Sequence, residues 1–176
     1  MKNHKIQIVP HLLGTERHFS DVALSNFYMQ MQSEDTADLV FIDGSVQSAD
    51  EFTQAMHKAF FYLITVNDIP AGMIWLTRRQ SRWAQFNFVS FKWTWGKLTT
   101  KIGRFALRKL INLADDQGYL FDAFLGVTPL RNRLACNFLK KMGWKELGVM
   151  ENGVYNFKSG KSESALFSYF TRECLK

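Results

Sequence analysis

Cysteine is scarce in this chain: Cys136 and Cys174 are the only two in 176 residues, too few for a disulfide scaffold and suited to a reducing compartment. Histidine is scarce as well. His4, His11, His18 and His57 all fall in the first third, without the Cys/His spacing of a zinc site, so no metal is expected. Long apolar runs are missing too, and AFFYLI from Ala59 to Ile64 is far short of the roughly 20 residues that span a bilayer. The polar start MKNHK lacks the core of a signal peptide. A soluble cytoplasmic protein with no membrane partner is the expectation.

What is present is a globular composition, 47% hydrophobic and 22% charged, which supports a single domain over residues 1–176 with a full core. Internal repeats and low-complexity tracts are absent. The net charge is +6, with basic clusters at Arg78, Arg79 and Arg82 and again from Lys92 to Lys109. Trp93 and Trp95 interleave with Lys92 and Lys97, an arrangement that suits stacking on bases. No nucleic-acid module is recognisable, so a nucleic-acid partner stays a third, minor reading, and a solvated basic surface accounts for the charge equally well.

Hydrophobic periodicity lays out the elements. Lys5 to Val9 alternates as a strand ended by Pro10. A helix is predicted from about Ser20 to Gln32 with Val22, Ala23, Phe27 and Met31 on its apolar face. Leu39 to Ile42 reads as a short strand, and Ser48 with Glu51 as a capping box opening a helix to about Lys58. Three strands follow, at Phe60 to Val66, Ala71 to Thr77 and Trp83 to Phe91, the first two joined by turn chemistry at Asn67 to Pro70. After a loop from Lys92 to Thr99, a helix from about Thr100 to Gln117 carries Ile102, Phe105, Ala106, Leu110, Leu113 and Ala114 inward and stops at Gly118. Leu120 to Val127 is a strand, and Lys145 to Phe157 and Ala165 to Thr171 are two more.

Between them lies TPLRNRLACNFLKKMGW, Thr128 to Trp144. Leu134, Ala135, Phe138, Leu139 and Met142 recur at helical spacing, Arg133, Lys140 and Lys141 face water, and Gly143 supplies a left-handed cap. An N-x-x-A helix ending in Gly-aromatic, after the order strand, two helices, three-strand meander, helix and strand, resembles the GNAT (GCN5-related) N-acetyltransferases over almost the whole chain. Asn132, Ala135, Phe138, Lys141, Gly143 and Trp144 fall at the corresponding motif positions. The resemblance implies an α+β fold with a mixed, mostly antiparallel sheet of about seven strands flanked by about four helices.

It implies a chemistry as well. Acetyl-CoA or another acyl-CoA would lie between splayed central strands, its pyrophosphate on backbone N–H groups at a helix start near Lys101, Ile102, Gly103 and Arg104. Asn132 would contact the pantetheine arm or its neighbouring loop. An amine acceptor, a small molecule or a protein, would attack the thioester in a ternary complex, with a backbone N–H around Val89 to Phe91 stabilising the oxyanion. The strand WAQFNFVSFK holds no Asp, Glu or His, so Ser90, able to orient a water, is the catalytic candidate. Leu139 stands where many relatives place a tyrosine acid, and Leu98 and Lys101 replace two members of the family's phosphate loop. These departures motivate a second reading, a catalytically inactive GNAT-like binding or assembly factor of phage type. Surplus aromatics at strand edges would allow a homodimer.

Overall fold

The computed structural model describes residues 4–11 and 19–175; His18 therefore lies outside the described residues. In chain order the elements are β1 (Ile6–His11), α1 (Asp21–Ser33), α2 (Ala37–Val40), α3 (Ala49–Lys58), β2 (Phe60–Val66), β3 (Ile69–Gln80), β4 (Trp83–Ser90), α4 (Lys97–Ile111), β5 (Ala114–Asp115), β6 (Gly118–Tyr119), β7 (Ala123–Pro129), α5 (Arg133–Met142), β8 (Lys145–Asn156) and β9 (Lys161–Thr171). Seven strands form one sheet in the order β1-β2-β3-β4-β7-β9-β8, mostly antiparallel, with a parallel ladder between β4 and β7. The α+β architecture expected from the sequence is present, with five α-helices among the described residues rather than four. The extra one is α2, formed where a strand was predicted at Leu39 to Ile42: Thr36 Oγ1 bonds the Met31 carbonyl at 3.1 Å and turns the chain straight into a new helical turn.

The chain forms two compact units, Met1–Leu76 with Asn87–Thr99 and Thr77–Phe86 with Thr100–Lys176. In the first, Ser48 caps its helix as predicted, its Oγ accepting from Glu51 N at 3.2 Å, and Ser20 caps α1 likewise, its Oγ accepting from Ala23 N at 3.2 Å. The Glu51 carboxylate reaches back to Gln47 N at 2.6 Å, one residue beyond the standard capping box. Leu24, Tyr28 and Met31 of α1 pack with Phe52, Met56, Phe61 and Trp75 in a buried aromatic core. Val22, predicted on that face, is 70% exposed, since the buried stripe runs through Leu24 and Tyr28 instead. Pro10 does not end β1: it pairs with Tyr62 on the outermost strand, where a missing N–H costs no ladder bond. Asn67 and Asp68, with φ of 52° and 66°, make a two-residue left-handed turn, so β3 begins at Ile69.

In the second unit α5 keeps its predicted ends. Trp144 N bonds the Leu139 carbonyl and Gly143 N that of Lys140, both at 3.1 Å, around Gly143 at φ 81°. Trp144 is buried against Phe86 and Phe170. Phe138 and Met142 reach Gly103 of α4, but Leu134, predicted inside, is 66% exposed. The end of α4 also differs. Gly118 does not stop the helix; Asn112 Nδ2 takes the Arg108 carbonyl at 2.9 Å, and Asp115 Oδ1 accepts from Gln117 N at 2.9 Å in a tight β5–β6 turn with Gly118 at φ 105°.

Candidate functional site

In the first unit the candidate residues Val89 and Ser90 close β4, and Phe91 follows it directly. Phe91 N donates to the Ala71 carbonyl of β3 at 3.0 Å. Along a strand successive N–H and C=O groups point to opposite edges, so the amides of Val89 and Phe91 both turn toward β3 and neither is placed to receive an oxyanion. Ser90 is the residue whose amide points the other way. Its carbonyl does too, and it accepts from Trp95 Nε1 at 3.0 Å. β3 approaches this end of β4 closely because residue 72 has no side chain: a Cβ there would lie 2.5 Å from the Val89 oxygen and 3.1 Å from Ser90 Cα. The parallel ladder on β4 covers three residue pairs, Trp83–Ala123 to Gln85–Leu125, although β4 continues to Ser90 and β7 to Pro129.

The segment after β4 is pinned. Lys92 N donates to Glu34 Oε2 at 2.7 Å, Trp93 Nε1 to the Pro70 carbonyl at 2.9 Å, and Thr94 Oγ1 to the Phe91 carbonyl at 2.8 Å. Trp93 and Trp95, read from the sequence as aromatics suited to stacking, are half-exposed and held by their indole edges. Gly96, at φ 101°, then admits the chain into α4, whose first residue is Lys97. The predicted start near Thr100 is therefore late. The amides lacking an intrahelical partner belong to Lys97, Leu98 and Thr99, while those of Ile102 and Gly103 lie in the helix interior and are spent on its own carbonyls.

In the second unit Ile102 and Gly103 are buried, and Lys101 and Arg104 are exposed. Gly103 serves packing: a Cβ there would lie 2.8 Å from Phe138 Cε2 and 3.0 Å from Met142 Sδ. Asn132 is the N-cap of α5, its Oδ1 accepting from the backbone N–H of Ala135 at 3.1 Å, three residues on. The predicted ligand contact of Asn132 is thus narrowed to its Nδ2 donors. Asn132→Asp keeps the cap and is expected to cost under about 0.5 kcal/mol, whereas Asn132→Ala loses about 1 kcal/mol in urea unfolding. Loss of acetyl-CoA affinity in the aspartate variant would assign Nδ2 to the cofactor. Burial pushes the Cys136 thiol up, and its Sγ rests 3.8 Å from the Pro129 carbonyl, the surroundings of a small apolar side chain rather than of a nucleophile.

One cluster was not foreseen. His11 Nε2 lies 3.1 Å from His57 Nδ1, and His57 Nε2 lies 2.8 Å from Asp21 Oδ1, joining β1, α3 and α1. The residues are 46 and 36 apart in sequence, and no local pattern marks them. Among the described residues no group of three or more His, Cys, Asp or Glu side chains could hold a metal ion, and no helix is long and apolar enough to cross a membrane.

No family model matches the sequence, and no curated protein does. Solved structures do. A ribosomal L7/L12 α-N-protein acetyltransferase in complex with coenzyme A superposes with a TM-score of 0.71 at 11% identity, covering 94% of this chain and 99% of the other. Spermidine N-acetyltransferase from Vibrio cholerae, in complex with CoA and spermine, gives 0.71 at 12% identity over 97% of both chains. A GNAT-family acetyltransferase from Streptococcus pneumoniae gives 0.64 at 15%, covering 95% of this chain and 99% of the other. The fold is that of the GNAT acetyltransferases, as the element order and the Asn132 helix implied. A phage-type role draws no support from these likenesses.

Proposed function

We propose that the protein is an N-acyltransferase that moves an acetyl or other acyl group from acyl-CoA to an amine by direct attack. The observation that carries this reading is the outward amide of Ser90 at the end of β4, on a chain with the GNAT fold whose next helix opens at Gly96 and Lys97. A thioester carbonyl aligned with Ser90 N–H would meet one fixed donor in the place where negative charge develops. The acceptor nitrogen bonds to the carbonyl carbon and passes its proton to water. The C–S bond then breaks, and the CoA thiolate, with leucine rather than an acid at position 139, is protonated by solvent.

The phosphates suit the first-turn amides of Lys97, Leu98 and Thr99, where unpaired donors and the positive end of the helix dipole coincide. Lys101 and Arg104 stand on the following turns of the same helix as exposed cations. Ile102 and Gly103 are left out of this set because their amides are spent inside the helix. Ser90 acts here through its backbone, not its hydroxyl. The acceptor is an amine of unspecified size, and no metal takes part in the scheme.

Calorimetry with acetyl-CoA and with CoA is the test. Saturable binding of both at micromolar to sub-millimolar concentration is expected, with affinity falling when Lys101 and Arg104 are both changed to glutamine. Absence of heat at millimolar ligand would sink the proposal.

A further inference from the structure

The positive charge of the chain is not spread over it. α4 and α5 together carry eight Lys and Arg residues and no Asp or Glu. Of 22 basic and 16 acidic residues in the chain, removing those eight leaves 14 against 16, a net charge of −2 for everything else. The whole excess of +6 therefore resides on two helices that touch at Gly103, where Phe138 and Met142 of α5 close on α4.

On α4 the cations are ordered. Lys101, Arg104 and Arg108 follow at spacings of three and four residues, which puts them in one row on the exposed side, opposite the buried Ile102, Ala106 and Leu110. Like charges at these spacings repel, and no acidic side chain relieves them along the helix. Among the described residues no large hydrophobic side chain of α4 is exposed, and α5 adds a single one, Leu134. A protein partner is usually gripped by a desolvated apolar centre with charges at its rim, whereas a row of cations without one matches a phosphate backbone.

The proposed acyltransferase chemistry does not use the far part of this row. Arg108 stands nine residues beyond Thr99, about 13 Å further along the helix axis, past the amides offered to the cofactor's phosphates. We propose that the exposed face of α4, centred on Arg104 and Arg108, is a contact surface for the phosphate backbone of a nucleic-acid strand, RNA or DNA. The sequence alone leaves nucleic acid as a minor reading because no module is recognisable. The fold supplies the reason to restore it, by gathering the entire excess charge onto two adjoining helices.

The test is fluorescence anisotropy of a labelled 20-nucleotide RNA, the same strand as DNA, and polyglutamate of equal length, read between 50 and 200 mM salt. Three phosphate contacts predict roughly a 20-fold loss of RNA or DNA affinity across that range. Arg108→Gln should weaken binding about eightfold at 50 mM salt and flatten the salt slope by about 0.7, with Arg108→Lys restoring both and calorimetric acetyl-CoA binding unchanged. No binding at 50 mM, a flat salt response, polyglutamate bound as tightly as RNA, or full affinity in Arg108→Gln would each overturn the inference. Because acetyl-CoA is measured on the same samples, failure of the acyltransferase reading shows separately.

Discussion

Gly72→Ala is expected to lower the unfolding free energy by about 3 kcal/mol and to weaken acetyl-CoA binding at least tenfold, because β3 and β4 cannot keep their present distance around a methyl group. The atoms an alanine Cβ would meet are backbone: the Val89 oxygen at 2.5 Å, Ser90 Cα at 3.1 Å and the Val89 carbonyl carbon at 3.4 Å. A side chain could rotate out of the way, but a strand has to move as a whole. Movement there strains the bond from Phe91 N to the Ala71 carbonyl and shifts Ser90, on which the proposed carbonyl contact depends. The effect on stability and the effect on the site therefore share one cause.

Gly103→Ala supplies the control. Its Cβ would meet the Phe138 ring and the Met142 sulfur, and both are side chains that can yield, Met142 most readily. Alanine also gains about 1 kcal/mol over glycine in a helix interior. The two changes add the same methyl group, yet the helix variant should stay within about 1 kcal/mol of the wild type while the strand variant falls well below it. Urea unfolding of the pair decides the matter: equal midpoints would show that the tight approach at Gly72 does not constrain β4.

The difference between these glycines bears on what the sequence could reveal. Local signals were legible. Ser48 announces a helix start through a side-chain oxygen that reaches only three residues, and Gly143 announces an end through its own φ; the caps at Ser20 and Asn132 work the same way but emerge only in the structure. Asn67 and Asp68 mark a hairpin in the same way. Gly103 was legible as a glycine near a helix, but not as a packing glycine, because Phe138, the reason for it, lies 35 residues away.

The start of α4 was misread for a related reason. Trp93, Trp95 and Gly96 look like loop residues until the indoles are seen pinned to Pro70 and Ser90, and only then does Gly96 stand as the hinge into the helix. Shifting that start by three residues moved the candidate phosphate donors from Ile102 and Gly103 to Lys97, Leu98 and Thr99. The strand donor changed too. Val89, Ser90 and Phe91 are equivalent in a pattern of alternating side chains; which amide is available depends on which edge of β4 faces β3, a property of pairing rather than of composition.

Ser90→Pro is expected to cut acyl transfer by about 10²–10³-fold, the usual loss when a single oxyanion donor is removed, while leaving the protein folded. Proline deletes the N–H and keeps the carbonyl that Trp95 holds. It is tolerable there because the amide points away from β3, so no bond of that ladder is lost, and Val89 before it is already in the extended conformation that proline demands. Ser90→Ala separates the backbone from the hydroxyl: it retains the amide and should keep activity within a few-fold of the wild type. The serine could instead have worked by orienting water through its side chain, as the sequence suggested, and then alanine would be as damaging as proline. Should Ser90→Pro bind acetyl-CoA and turn over at the wild-type rate, the amide is no oxyanion donor, and the acyl group must be held by some other part of the chain.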